Sequence, residues 1–217
     1  SLNLLLRQLD NYGGNIMIAI IDYGMGNLRS VQKAFEYVGC EAVITQDPQV
    51  ILNASHVVLP GVGAFGDAIQ NLERAGLIDS IYRVVQDGRP FLGICLGLQL
   101  LFERSYEGGA FKGLALLPGN VKRLPEELNI KIPHMGWNEL KYRANPIFEG
   151  LDDPCFVYFV HSYYVEPRVS EHVIGTTFYG MDITVAVNKD NIYGLQFHPE
   201  KSGVEGLKML RNFARLK

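Results

Sequence analysis

FLGICLGLQLLFE, residues 91–103, is the stretch that decides the fold. Its first four residues are an apolar run that predicts a short buried strand, and residues 96–104 carry the wide apolar face of a helix. Cys95 lies at the junction, between two glycines. A G-x-C-x-G sequence there is typical of a nucleophile elbow, a strained turn that lifts one side chain clear of the sheet. The pattern favours a nucleophilic cysteine, with the backbone N–H of Leu96 facing an oxyanion, over the alternative of a small buried hydrophobic residue.

Strand and helix patterns alternate from Met17 to this stretch, with β-branched strand runs between amphipathic segments. This alternation predicts an α/β fold with a parallel sheet and helices on both faces, whose active sites gather at the carboxyl ends of the strands. After Gly119, closely spaced strand runs predict antiparallel strands added to the parallel core. The predicted strands are 17–22, 42–45, 56–60, 91–94, 120–124, 155–160, 173–178, 183–187 and 192–197, and the predicted helices are 28–38 (capped by Asn27), 48–53, 67–86 (broken near Gly76), 96–104 and 203–216.

Composition narrows the classes of function. The chain has 217 residues, of which 47% are hydrophobic and 20% charged, and this suits one domain. A net charge of -3 gives no overall attraction to nucleic acid or to an anionic membrane. Three scattered cysteines form neither a disulfide framework nor a metal-type pair, so we expect a reducing, cytoplasmic location and no metal or other cofactor. Residues 1–16 are interpreted as a leader or tag-like extension before a domain at 17–217.

A glycine-rich segment follows the third predicted strand. GVGAFG, residues 61–66, matches the dinucleotide-binding pattern G-x-G-x-x-G. That pattern normally opens the first βαβ unit, however, whereas this one opens the third. We favour the interpretation that residues 60–63, which include Gly61, bring bare backbone N–H groups beside Cys95 as a second oxyanion donor. A tight turn that needs glycine dihedrals is compatible with this role.

The general base is sought among five histidines. In GLQFHPEKS, His198 and Glu200 lie two positions apart at the end of a strand, where they share a face. The histidine then faces Cys95 while the carboxylate holds its far nitrogen, as in a catalytic triad. Of the other histidines, His134 and His161 compete for the role of general base. His56 and His172 are assigned structural roles.

Five segments together resemble the class I glutamine amidotransferases: PGVGAFGDAI, GICLGLQLLFE, PHMGWNEL, YFVHSYYV and GLQFHPEKS. More narrowly, they are similar to the glutaminase subunits of imidazole glycerol phosphate synthase, from histidine biosynthesis. The resemblance runs from Met17 to about Lys217 and shows no departure at the triad. It implies a three-layer, flavodoxin-like fold with a mainly parallel central sheet.

The resemblance also implies an activity, the hydrolysis of L-glutamine to glutamate and ammonia through a thioester on Cys95. His198 protonates the departing ammonia and then activates water, while Glu200 orients His198. The implied oxyanion donors are the N–H groups of Leu96 and Val62. The residues implied to hold glutamine are Gly63, Gln99, Glu107, Ser162 and Tyr163. Gln99 has its own argument, since one helical turn places it on the same face as Cys95.

The ammonia acceptor is expected on another chain, because a (β/α)₈ barrel of about 250 residues does not fit into this one. The resemblance implies a heterodimer with a barrel cyclase, and residues 133–138 are predicted to sense that partner. The candidate interface residues are Trp137, Asn138, Tyr158 and Lys201. Three alternatives stay open: a freestanding thiol or γ-glutamyl hydrolase, the glutaminase subunit of an anthranilate or aminodeoxychorismate synthase, and a catalytically silent binding subunit, which the intact triad disfavours.

Overall fold

The computed structural model describes residues 15–217. Its strands are β1 (Met17–Ile21), β2 (Glu41–Thr45), β3 (His56–Leu59), β4 (Phe91–Ile94), β5 (Phe102–Ser105), β6 (Phe111–Lys112), β7 (Leu117–Arg123), β8 (His134–Tyr142), β9 (Cys155–His161), β10 (Tyr163–Pro167), β11 (Val173–Phe178), β12 (Asp182–Lys189) and β13 (Ile192–Leu195). Its helices are α1 (Leu28–Tyr37), α2 (Pro48–Asn53), α3 (Phe65–Arg74), α4 (Ile78–Gln86), α5 (Leu96–Leu100) and α6 (Gly203–Ala214).

A nine-stranded sheet with the order β2-β1-β3-β4-β13-β12-β11-β8-β9 forms the centre of the molecule. The pairings from β2 to β13 are parallel, and those from β13 to β9 are antiparallel. The predicted α/β fold, a parallel core with antiparallel strands added, is therefore confirmed.

Helices cover both faces of this sheet, which makes three layers. Alternate side chains of β1 enter different cores: Ile18 and Ile20 pack on the side of α1 and α6, whereas Ala19 and Ile21 pack on the side of α3 and α4. All four side chains are fully buried. The period of two residues in a strand thus explains why β1 is apolar throughout.

The carboxyl ends of three neighbouring parallel strands meet at one edge of the sheet. Leu59 at the end of β3 pairs with Gly93 of β4, and Leu195 at the end of β13 pairs with Ile94. The residues that follow these strands are therefore adjacent in space. After α5 the chain enters a second sheet, which has the order β10-β7-β5-β6.

Several sequence-based boundaries were wrong. The helix predicted over 96–104 ends at Leu100, and the chain then enters β5, which pairs with β6 and β7. Strands β8 and β10 were missed. Asn27 does occupy the N-cap position of α1, but its side chain makes no capping hydrogen bond.

The predicted extension at 1–16 lies outside the described residues, apart from its last two positions. Of those two, Ile16 is partly buried against the core. Within residues 15–217, every helix is too short or too polar to span a membrane.

Candidate active site

Cys95 lies on a strained turn between β4 and α5. Its backbone has φ 55°, which places a non-glycine residue in the left-handed region. The neighbouring glycines allow this turn: a Cβ on Gly93 would lie 2.6 Å from the carbonyl oxygen of Gly97, and a Cβ on Gly97 would lie 1.7 Å from that of Leu59. Any side chain at either position would push the elbow out of the sheet. Strain held in place by such packing is typical of functional sites.

His198 and Glu200 follow β13 and form a buried pair. The Nδ1 atom of His198 lies 2.7 Å from Oε1 of Glu200, and the two side chains are 4% and 3% exposed. Burial opposes a charge on the imidazole, but the neighbouring Cys95 sulfur and the Glu200 carboxylate outweigh it and raise the pKa of His198. The carboxylate thus fixes Nδ1 as the protonated nitrogen, which leaves Nε2 for the sulfur side.

The Cys95 sulfur makes polar contacts with β9 and with the residue after β13. The carbonyl oxygen of Val160 lies 4.0 Å from Sγ, and Nε2 of Gln196 lies 3.7 Å from it. Gln196 in turn accepts a hydrogen bond from Nε2 of Gln99 at 3.2 Å. Gln196 was not predicted as a site residue. The signal was present, however, because Gln196 and His198 are two apart and share a face, with the core residue Phe197 between them.

The predicted oxyanion donors do not form a hole in this conformation. The N–H of Leu96 donates to the carbonyl oxygen of Gly61 at 3.1 Å. Since the C=O and N–H of a trans peptide point in opposite directions, the N–H of Val62 points away from Leu96. The glycine loop, residues 60–63, therefore lies beside Cys95 as predicted but presents a carbonyl there.

Tyr23 holds this glycine loop in place and was not predicted as a site residue. Its hydroxyl donates to the carbonyl oxygen of Pro60 at 2.6 Å, and the side chain is 4% exposed. A Cβ on Gly61 would lie 2.0 Å from the same hydroxyl. Burial, with a smaller contribution from the Cys95 sulfur, raises the pKa of Tyr23, so the phenol stays protonated.

A cavity of about 440 Å³ opens above the sulfur. It brings together Cys95 and the five residues implied to hold glutamine, together with both predicted oxyanion donors. The Oε2 atom of Glu107 accepts a hydrogen bond from the N–H of Phe65 at 3.2 Å, and burial raises the pKa of this carboxyl group. The lining residues are Val62, Gly63, Cys95, Leu96, Gln99, Glu107, Pro133, Val160, His161, Ser162 and Tyr163.

The two competing histidines bond to each other rather than to a carboxylate. Nδ1 of His134 lies 2.9 Å from Nε2 of His161, whose Nδ1 lies 2.8 Å from the carbonyl oxygen of Tyr163. Burial lowers the pKa of each imidazole to about 4, which keeps both rings neutral. They therefore lack the carboxylate partner that His198 has. His56, bonded to the carbonyl oxygen of Leu216, lies away from the cavity.

The candidate interface residues lie on strands β8 and β9 and on the 3₁₀ turn after His198. Trp137 is paired with Tyr158 across the two strands, and their ring centroids are 6.0 Å apart. Trp137 is 58% exposed. The N–H of His198 donates to the carbonyl oxygen of Tyr158 at 3.0 Å, so this surface is directly bonded to the triad. Asn138 turns its amide back toward the carbonyl oxygen of Phe178, and Lys201 is exposed.

Comparison with known families agrees with the class of enzyme that this fold and cavity indicate. The family model for class-I glutamine amidotransferases matches residues 19–216, and the chain belongs to this family. Within it, curated relatives that are 51–56% identical to this chain are named imidazole glycerol phosphate synthase subunit HisH. The relative from Geobacter metallireducens is 56% identical over 203 residues, which cover 91% of this chain and 97% of that protein. The relative from Aquifex aeolicus is 54% identical over 198 residues, covering 90% and 95%.

Solved structures show the same fold at low sequence identity. PurLQS from Thermotoga maritima superimposes with a TM-score of 0.72 at 19% identity, covering 92% of this chain and 98% of that one. A structure described as a glutamine amidotransferase gives a TM-score of 0.70 at 20% identity, covering 90% and 96%.

Proposed function

We propose that this chain is the glutaminase subunit of an imidazole glycerol phosphate synthase. It hydrolyses L-glutamine to glutamate and ammonia and passes the ammonia to a cyclase subunit. One observation carries the chemistry: a strained cysteine and a buried His198–Glu200 pair converge under a cavity of about 440 Å³. Relatives about 55% identical to this chain are named HisH, which supports its assignment to an imidazole glycerol phosphate synthase.

Cys95 is the proposed nucleophile. Its thiolate attacks the side-chain carbonyl carbon of glutamine, and the carbonyl π electrons move to the oxygen to give a tetrahedral oxyanion. The intermediate collapses as the C–N bond breaks, and His198 gives its proton to the departing nitrogen. Water, deprotonated by His198, then attacks the thioester and releases glutamate. Glu200 holds the imidazole in the tautomer that serves both steps.

Glutamine is held by the cavity wall in this proposal. Glu107, whose side chain accepts a hydrogen bond from the N–H of Phe65 at the amino end of α3, offers a carboxylate to the substrate's α-ammonium group. The polar groups of Gly63, Ser162 and Tyr163 receive its α-carboxylate, while Gln99 lies beside the reacting amide. We place the chain in the cytoplasm, in keeping with its free cysteines.

The proposed partner is a cyclase with a (β/α)₈ barrel, docked on the face that carries Trp137, Asn138, Tyr158 and Lys201. The hydrogen bond from His198 to Tyr158 gives this face a direct connection to the triad. The closed oxyanion side supports a subunit that is activated by its partner, because the Leu96 N–H donates to the Gly61 carbonyl and is not free to stabilise an oxyanion in this conformation.

The deciding experiment compares Cys95→Ala with wild type in the complex with the cyclase. Glutamine-dependent synthesis should be abolished, because no other group provides the nucleophile, whereas synthesis from added ammonium salts should continue. The measurement is formation of the cyclised product from each nitrogen source.

Matched controls are Cys40→Ala and Cys155→Ala. Both thiols are buried, and burial raises the pKa of each to about 11, so neither competes as a nucleophile. Their activity should stay near wild type. Glutamine hydrolysis by Cys95→Ala would refute the assignment, and full activity of the wild-type chain alone would favour a freestanding hydrolase.

A further inference from the structure

Gln196 is a buried polar side chain at the Cys95 sulfur to which neither the triad nor the substrate cavity gives a role. It is fully buried at the end of β13, and its backbone N–H is bonded to Val185 at 2.8 Å. Its Nε2 atom lies 3.7 Å from the Cys95 sulfur. The effect of a buried amide on a reactive sulfur at that distance depends on whether its NH₂ group or its oxygen faces the sulfur.

The orientation of the amide follows from its neighbours. The carbonyl oxygen of Tyr163 can only accept a hydrogen bond, so the end of Gln99 that lies 3.3 Å from it is the NH₂ group. That same NH₂ group also donates to Gln196, so the atom of Gln196 facing Gln99 is the acceptor Oε1. The other end of Gln196, which faces the sulfur, is therefore the donor. Gln99 thus donates to both Tyr163 and Gln196, and Gln196 donates in turn to the Cys95 sulfur.

We infer that Gln196 is a further catalytic residue, whose amide N–H donates to the Cys95 sulfur and stabilises it as the thiolate. This inference rests on the proposed function of Cys95 as the nucleophile. A donor aimed at the charged form of a group favours that form. The carbonyl oxygen of Val160, 4.0 Å from Sγ, cannot supply this stabilisation, because it only accepts hydrogen bonds.

Gln196 and Gln99 also connect the sulfur to the wall of the cavity. Gln99 lines the cavity on α5, and Tyr163 lines it at the start of β10. A substrate that displaces the Gln99 amide would release Oε1 of Gln196 and free its amide to turn. Gln99 therefore acts on the sulfur as a positioning residue, through Gln196.

The test is the pH dependence of alkylation of Cys95 by iodoacetamide, followed by peptide mass spectrometry on the whole chain. The variant is Gln196→Met, which keeps the length of the side chain and removes the donor. Its alkylation midpoint should move up by roughly one pH unit, because a hydrogen bond donated to the charged form of a group stabilises that form. Glutaminase turnover in the cyclase complex should fall about tenfold or more.

Other titrating groups near the sulfur stay the same in this comparison. His198 and Tyr23 interact with Cys95, and Glu200 and His161 interact with His198. None of them is changed by the substitution. Gln70→Met, at an exposed position of α3, is the matched control for the change of residue type and should keep the wild-type midpoint.

Two further variants keep the test decisive. If Gln196→Met does not fold, as judged by circular dichroism, Gln196→Leu also removes the donor without adding a charge, and its midpoint should also rise. Gln99→Met removes the positioning contact but leaves the Gln196 amide in place, so it should give a smaller rise. A wild-type midpoint in the folded Gln196 variant would overturn the inference while leaving Cys95 as the nucleophile. Glutamine hydrolysis by Cys95→Ala would instead overturn the proposed function.

Discussion

On the histidine side of the Cys95 sulfur, the proposed catalytic groups are already in place, whereas on the glycine side the proposed oxyanion donors are not. The imidazole of His198 is bonded to Glu200 at 2.7 Å in a fully buried position. The glycine loop, in contrast, directs the Gly61 carbonyl at the Leu96 N–H, so the oxyanion would meet an oxygen. In the proposed mechanism, the groups for proton transfer are therefore preassembled, and oxyanion stabilisation is the step left for control.

The physical reason lies in what holds each side. The histidine side is fixed by buried side chains and by the hydrogen bond from Ser202 to the carbonyl oxygen of His198, at 2.6 Å. The glycine side is held by backbone contacts in which glycines at 61 and 63 let the intervening peptide rotate with little steric cost. Gly63 has φ 115°, and Val62 is 43% exposed, so a partner can reach this loop.

The largest expected effect comes from breaking the preassembled side with His198→Asn. Turnover in the cyclase complex should fall by about 10²–10⁴-fold, the usual contribution of general acid–base catalysis. The measurement is glutamate release at saturating glutamine. His172→Asn is the control, since His172 lies in a short 3₁₀ turn before β11, and it should keep wild-type turnover. Unchanged turnover in His198→Asn would return the role to His134 or His161.

The next effect separates the two sides directly by comparing two reactions of Cys95. Amide hydrolysis needs an oxyanion hole, whereas alkylation by iodoacetamide needs only the thiolate. Adding the cyclase with its nucleotide ligand should raise hydrolysis by about 10²–10³-fold, the value of one oxyanion donor. The alkylation rate should stay within about twofold, since the histidine side is already formed. An equal rise in both rates would contradict the comparison, because it would mean that the partner acts on the thiolate.

The smallest effect is expected from Tyr23→Phe, which removes the anchor of the glycine loop and keeps the ring. Losing the hydroxyl leaves the Pro60 carbonyl without its partner at 2.6 Å and should lower the free energy of unfolding by about 1–3 kcal/mol. The ratio of partner-activated to basal hydrolysis should fall severalfold, because Pro60 is no longer held in place when the glycine loop changes conformation. Tyr37→Phe, at an exposed position, is the control for urea unfolding and hydrolysis. An unchanged ratio in Tyr23→Phe would show that the anchor serves stability only.

Local sequence determined those parts of this protein that depend on near neighbours in the chain. The apolar run into Cys95 and its flanking glycines predicted the elbow, because only small residues fit between Leu59 and the turn. The spacing of His198 and Glu200 predicted their shared face through the period of a strand. The alternation of strands and helices before residue 95 predicted the parallel half of the sheet.

Tertiary structure decided what depends on contacts between distant segments. Strand β8 was missed because its partners β9 and β11 stabilise a sequence that has no clear alternation of its own. The helix after Cys95 stops at Leu100 because the next residues pair with β6 and β7. The direction of the Gly61 carbonyl and of the Gln196 amide could not be predicted from the sequence. Each is set by hydrogen bonds to residues more than thirty positions away, such as Leu96 and Gln99, and a local pattern carries no information about such partners.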